Sequence, residues 1–392
     1  MLLIVLVINI WPTGYVDSLR SVIQLRTSHS FTPRFLCSHV KGRHRLRKLL
    51  ATGLLLATAL ATGCSSPATP HHHGPVKLPV GPPGTSASGT LRLGYLLNVP
   101  DAAALIATQM GYYQQNLGKV SLQPQPFTTS APEITALETG QLDAAYLDPV
   151  SAIKVAQVLR GGLRIIAGAA LGGTELVVAK TVTQPSQLKG HELAAPAGTQ
   201  QAAADAWLHS NGLSPLTQQE TGPSTDAGIL HEFTSGTIAG AWEPAPLDAE
   251  MTAAGGRILP TTAASTSVSA LPTVVLTVTT KYLTKHPAAV ASLVKGQLQA
   301  DKLLADSLVL AESAFQQKFA QLADAALPPT VLTASFAQVT FTDNPQAPGI
   351  RAEAQQAITA RLIKPVTNWK AILDLTQLNS LLRSTGHKSI NT

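Results

Sequence analysis

The sequence predicts an α/β chain folded into two lobes, and three observations predict it. From residue 91 onward short apolar runs alternate with amphipathic ones in the order strand, helix, strand, helix, strand, the sequence mark of a parallel sheet with helices on its faces. The unit at 127–149, FTTSAPEITALETGQLDAAYLDP, has a weaker copy at 232–244, EFTSGTIAGAWEP. The copies share small polar residues, a glycine and a short apolar strand, and end in Tyr146-Leu147-Asp148-Pro149 and in Trp242-Glu243-Pro244. Finally, apolar β-type runs at 176–179 and 272–280 can carry the chain out of the first lobe and back. Each lobe is therefore expected to be a mostly parallel sheet flanked by helices, joined by two crossings.

The first unit contains its own punctuation. Thr128, Thr129 and Ser130 offer hydroxyls ahead of a helix whose apolar positions Ile134, Ala136 and Leu137 fit a helical period. Glu133 lies in the first turn, where a carboxylate complements the positive helix end, and Gly140 accepts the left-handed conformation that stops the helix. Residues 142–147 make a short buried strand, which Pro149 ends. Such a unit brings a helix start next to a strand end, where open α/β sheets bind ligands. Either unit alone is also an ordinary helix-to-strand connection; two in this order suggest two edges of one cleft.

The charge of +6 does not mark a nucleic-acid surface. Residues 1–63 hold eight Lys and Arg against the single acid Asp17, and the remainder carries 20 basic and 21 acidic residues. At 41–48 the run KGRHRLRK precedes the apolar LLATGLLLATALATGC, the pattern of an export signal ending in small residues at Cys64. The apolar run of 15 residues is shorter than the roughly 20 of a spanning helix. Residues 1–39 fit no export signal, which predicts a translation start later, near Val40. Cys37 falls there, so Cys64 is the one cysteine of the expected mature chain, and neither a disulfide nor a cysteine metal site is expected. Residues 64–89, rich in Pro, Gly, Ser and Thr, form a tether that cannot bury enough surface to fold. His71, His72 and His73 within it lack a fixed geometry, and no metal or cofactor is expected.

The folded part begins at Thr90. Strands are expected at 91–96, 120–125, 142–147 and 163–170, with helices at 102–115 and 151–159 besides the one before Gly140. The first lobe is expected to span 90–180, the second 181–268, and the returning strand and C-terminal helices of the first lobe 269–392. In the second lobe 184–190 reads as a helical turn, 191–195 as a strand, and Gly198 opens a helix to about Ser210. The backbone N–H groups of residues 199–201 are expected to face the cleft and hold a polar or anionic group. That turn lacks the lysine and glycine pattern of a P-loop, which argues against nucleotide hydrolysis. The helices after residue 281 are expected to cover the first lobe's sheet.

These residues resemble the substrate-binding lipoproteins of ABC importers, in the nitrate, sulfonate and taurine branch. The resemblance covers about 91–310 and rests on Glu138-Thr139-Gly140-Gln141-Leu142-Asp143-Ala144-Ala145-Tyr146, Leu188-Lys189-Gly190 followed by Gly198-Thr199-Gln200, Trp242-Glu243-Pro244, and Tyr282-Leu283-Thr284-Lys285-His286-Pro287. The end Ala61-Thr62-Gly63-Cys64 resembles a lipobox, with Ala61 in place of the usual leucine, so Cys64 would be lipidated. The resemblance implies a type II periplasmic-binding-protein-like fold with hinges near 180–183 and 267–273. It implies a monomer outside the cytoplasm, held to the membrane by lipid, that delivers a small molecule to a permease without chemistry. Carried over residue by residue, Leu97, Asn98, Thr129, Ser130, Asp148 and Thr174 would touch ligand from the first lobe. Thr199, Gln200, Trp242 and Glu243 would do so from the second.

The chain departs from that family at Asp148, where glycine or serine is common, and at Ala245, where an aromatic is common. No Arg or Lys falls at the inferred contacts, while Asp148 and Glu243 are both acids that would repel an anion. A neutral or cationic ligand is therefore expected, with a small aromatic stacked on Trp242 as one form. The competing reading is an enzyme of the same fold, of the pyrimidine or menaquinone biosynthetic type. Against it, no Ser-His-Asp spacing, zinc motif or cofactor fingerprint is present, and His191, His209 and His231 are scattered.

Overall fold

The computed structural model describes residues 89–214, 226–261 and 271–392. The expected export signal, Cys64, the tether with its histidines and residues 262–269 of the return segment fall outside them.

The first lobe opens as the alternation requires: β1 (Thr90–Leu96), α1 (Ala102–Gln109), α2 (Tyr112–Leu117), β2 (Ser121–Phe127), α3 (Ser130–Glu138), β3 (Ala144–Leu147), α4 (Pro149–Val158) and β4 (Leu163–Gly172). The single helix expected at 102–115 is two, because Gly111 takes a left-handed φ of 70° between them. The second lobe holds β5 (Thr174–Val178), a 3₁₀ turn (Pro185–Leu188), β6 (Leu193–Ala194), α5 (Thr199–Ser210), α6 (Asp226–Ser235), β7 (Gly240–Pro244), α7 (Leu247–Ala253) and β8 (Arg257–Ile258). The chain then returns through β9 (Pro272–Thr279) to α8 (Thr280–Lys285), α9 (Pro287–Asp306), α10 (Leu308–Ala323), α11 (Pro329–Ala337), β10 (Val339–Phe341), α12 (Ala347–Thr359) and α13 (Thr376–Ser384).

Six strands form the first sheet in the order β10-β4-β9-β3-β1-β2, and four form the second in the order β6-β7-β5-β8. Strands β1 to β4 run one way, and β9, the returning strand, runs against both its neighbours β3 and β4. In the second sheet β5 runs against β7 and β8. Most strands of each sheet thus point one way, but among the described residues three ladders are parallel and five antiparallel, so both sheets are mixed; four of the five antiparallel ladders come from β5 and β9, the strands that cross between lobes. The crossing expected at 180–183 lies earlier. Strand β5 already pairs with β7, so the chain leaves the first sheet at Gly172 and Gly173, both at left-handed φ (68° and 72°). The two glycines and the polar pair Thr174 and Glu175 mark this joint in the sequence.

The first sheet is buried on both faces. Leu91, Leu93, Tyr95 and Tyr146 pack with α1, α2, α9, α10 and α13, while Ala145, Leu147 and Ile165 pack with α3, α4 and α12. The C-terminal helices do more than cover this sheet, because α12 also packs on α5 and α11 on α7, each in the second lobe. Beside β3, Asp143 receives the Arg92 side chain through Nε (2.9 Å) and Nη2 (2.7 Å), and Arg92 Nη1 donates to the Gly140 carbonyl (2.8 Å). This pair fixes β3 against β1 at the start of the site-bearing strand. Asp143→Ala is expected to cost about 3 kcal/mol, because a largely buried guanidinium loses its carboxylate; urea denaturation would show it as a lowered midpoint.

Candidate ligand-binding cleft

Of the cavities between the lobes among the described residues, two take in the residues singled out in the sequence. The first, about 70 Å³, is lined from the first lobe by Leu97, Asn98, Thr129, Ser130 and Asp148 and from the second by Gln200 and Glu243. The second, about 290 Å³, is lined by Thr174, Thr199, Gln200, Trp207, Trp242, Thr273 and Glu353. All ten residues singled out in the sequence line one of the two, but they do not form one pocket. Gln200 borders both.

Local chemistry explains each placement. Leu97 N–H donates to the Phe127 carbonyl (2.9 Å) and the Asn98 side-chain oxygen accepts from Asp101 N–H (2.9 Å), which sets the turn after β1. Thr129 precedes α3 in an extended conformation without a side-chain cap, so the N-terminal donors of that helix are left for other partners. Asp148 caps α4, its Oδ1 accepting from Ser151 N–H (2.9 Å), with Pro149 at the first helical position. The same oxygen accepts from the backbone N–H (2.8 Å) and hydroxyl (2.9 Å) of Thr199. The Thr199 oxygen in turn accepts from Val150 N–H (3.2 Å).

This bridge changes the expectation for the start of α5. The N–H groups of 199–201 are expected from sequence to be open to a ligand, but Asp148 of the first lobe takes that of Thr199, and Gln201 N–H is held by the Pro196 carbonyl (3.1 Å). Trp242 lies against the edge of Trp207, with ring centroids 5.4 Å apart at 71°, and faces the second cavity rather than the first. Thr174 begins β5 opposite Pro244, and its buried hydroxyl has no hydrogen-bond partner among the described residues.

Three acids at the cleft lay beyond the site predicted from sequence. Asp101 is buried, accepts from Leu96 N–H (2.6 Å), and burial, with Asp148 adding to it, pushes its carboxyl up to about 8. Glu133, read from sequence as a dipole partner, is fully buried and lines the first cavity; neither carboxylate oxygen has a hydrogen-bond partner among the described residues. Burial and then the charges of Asp101 and Asp148 raise it well above the usual range. Glu353, on α12, lines the second cavity with both oxygens likewise unpartnered, and burial followed by Asp148 raises it too. The only signals in sequence were an acid in a first turn and an acid on the apolar side of an amphipathic helix, neither of which points to a cleft.

Among the described residues lining the two cavities there is no Lys, Arg or His. Among the described residues no cluster of His, Cys, Asp and Glu has the makings of a metal site, and no helix is long and apolar enough to cross a membrane. The arrangement offers acceptors, a wall from each lobe and an enclosed volume, which is equipment for binding.

Comparison with solved structures finds the same architecture. The alkanesulfonate-binding protein SsuA from Xanthomonas axonopodis pv. citri, bound to MOPS, is 20% identical with a TM-score of 0.60, over 74% of this chain and 100% of that one. The periplasmic nitrate-binding protein NrtA from Synechocystis PCC 6803 is 13% identical with a TM-score of 0.65, over 76% of this chain and 89% of that one. DSZB in complex with biphenyl-2-sulfinic acid is 15% identical with a TM-score of 0.55, over 75% and 99%. At these identities the likeness is one of fold, the periplasmic-binding-protein fold. No curated protein matches the chain in sequence. The NMT1-like family matches residues 84–323, well over half of the chain and both turns that carry the cleft, and the chain belongs to that family.

Proposed function

We propose that this protein captures a small neutral or cationic solute between its lobes and delivers it to the permease of an ABC importer. It acts outside the cytoplasm as a monomer, tethered through lipid on Cys64, and alters no bond in the solute. The observation that carries this reading is the first cavity, closed by Thr129 and Ser130 of one lobe and by Gln200 and Glu243 of the other. Leu97 and Asn98 complete the contacts, and a solute reaching the second cavity would also meet Thr174, Thr199 and Trp242. The fold shared with SsuA and NrtA supports a binding role.

The enzyme reading draws support from the fold shared with DSZB. Two measurements separate them. A thermal-shift screen of the full chain against amines, amides, pyrimidines, nitrate and sulfonates is expected to raise Tm with at least one neutral or cationic compound. Fractionation is expected to find the protein with membranes and to release it on Cys64→Ala. A soluble cytoplasmic product with no thermal shift for any compound would overturn the proposal.

A further inference from the structure

We propose that Asp148 is a tethered substitute for the acidic head of an anionic ligand, so that the cleft refuses anions and takes a solute bearing N–H donors, a protonated amine or amidine, which meets Glu133. This rests on the solute-binding reading and assigns the class of solute.

The N-terminus of a twelve-residue helix is an anion site in waiting, because its first N–H groups point outward and its dipole favours negative charge. In α5 that place is filled by the chain itself. Asp148 needs only its bond from Ser151 to cap α4; the two further bonds come from Thr199 of the other lobe, one of them from the first N–H of α5, and play no part in capping α4. Gly198 makes the approach possible: it holds a φ of 104°, and a Cβ on it would lie 2.6 Å from each Asp148 carboxylate oxygen. Glycine and aspartate here fit each other as a ligand fits its site.

A second anion entering the cavity would find this position filled and would face Asp148, Asp101 and Glu243, with no cationic side chain among the described lining residues. Meanwhile Glu133 lies fully buried in the same cavity wall, and neither of its carboxyl oxygens has a hydrogen-bond partner among the described residues. Burial holds a proton on Glu133, and a cationic solute that donates to its oxygens favours the ionised carboxylate, so such a solute binds with release of that proton. Methylammonium or acetamidinium would supply the donors; nitrate and methanesulfonate have none.

The test is calorimetric titration of the full chain with those four ions, for the unaltered protein and for Asp148→Ser and Asp148→Asn. Serine keeps a hydroxyl for Ser151 N–H but is too short to fill the α5 position, whereas asparagine keeps the length and loses the charge. The unaltered protein is expected to bind acetamidinium or methylammonium at least tenfold more tightly than either anion. Asp148→Ser is expected to gain at least tenfold in methanesulfonate or nitrate affinity, and Asp148→Asn is not. Equal gains in both variants would mean charge rather than occupancy and would overturn the proposal. Tight anion binding by the unaltered protein would also overturn it and leave solute binding intact. Should none of the four ions bind any variant while circular dichroism shows folded protein, the proposal fails; the broader reading fails only if the thermal-shift screen is blank as well.

Discussion

Thermal stability is expected to be greatest near pH 4 and to fall continuously as the pH rises to 8. Burial lifts the carboxyls of Asp101 and Asp248 from 3.8 to about 8, and it lifts Glu133, Asp301 and Glu353 well above their usual range. The folded chain therefore keeps protons that the unfolded chain releases, and stability declines with pH wherever that difference exists. For Asp101 and Asp248 the contribution is complete below about pH 3.8 and is lost as the pH climbs toward 8. Within that window each group adds a slope approaching about 1.4 kcal/mol per pH unit. Scanning calorimetry is expected to show Tm lower by about 10 °C or more at pH 8 than at pH 5. Glu353→Gln should flatten the profile, since an amide has no proton to release. A Tm that rises across this range would mean that these acids are ionised in the folded protein.

Gly198→Ala is expected to part the lobes. The residue combines a φ of 104° with a ψ of −134°, a region nearly closed to other residues, and forcing alanine into it costs about 1–3 kcal/mol. The added methyl would also displace the Asp148 carboxylate, and with it the hydrogen bonds that join α4 of one lobe to α5 of the other. X-ray scattering is expected to show a larger radius of gyration, with a lower Tm. Adding Asp148→Ser removes the obstruction but not the backbone strain, so the double variant should be less destabilised than the sum of the single ones. An unchanged radius for Gly198→Ala would show that the bridge does not hold the lobes.

What the sequence made legible was whatever has a local period or a local stop. The alternation of strands and helices, the strand end at Pro149, the stop at Gly140 and the repeated turn ahead of β7 all follow from neighbouring residues. The break at Gly111 was missed because the apolar spacing of 102–115 continues across it, and the lobe joint differs from the expected one because the apolar residues 176–179 read as the crossing strand although pairing with the second sheet already starts at Thr174. The ten residues named for the site all border a cavity between the lobes, but they divide between two cavities instead of facing one. Nothing near Asp148 announces Thr199, 51 residues away, and the period of α12 puts Glu353 on the buried side without saying that this side borders a cleft. Trp242 shows the same limit: an aromatic at a strand end is equally fit to stack on a solute or on another tryptophan, and here it meets Trp207.

The two joints between the sheets are unlike. At one, Gly172 and Gly173 have no side chain of their own, though Val339 abuts the place where a Cβ on Gly173 would stand. At the other, β9 enters on Pro272, a ring of fixed torsion wedged against Gly349, where a Cβ would come within 2.7 Å of it. A door hung on one loose pin and one stiff pin does not slide open but twists about the stiff one. The far lobe would therefore swing askew, widening the gap most on the side away from Pro272.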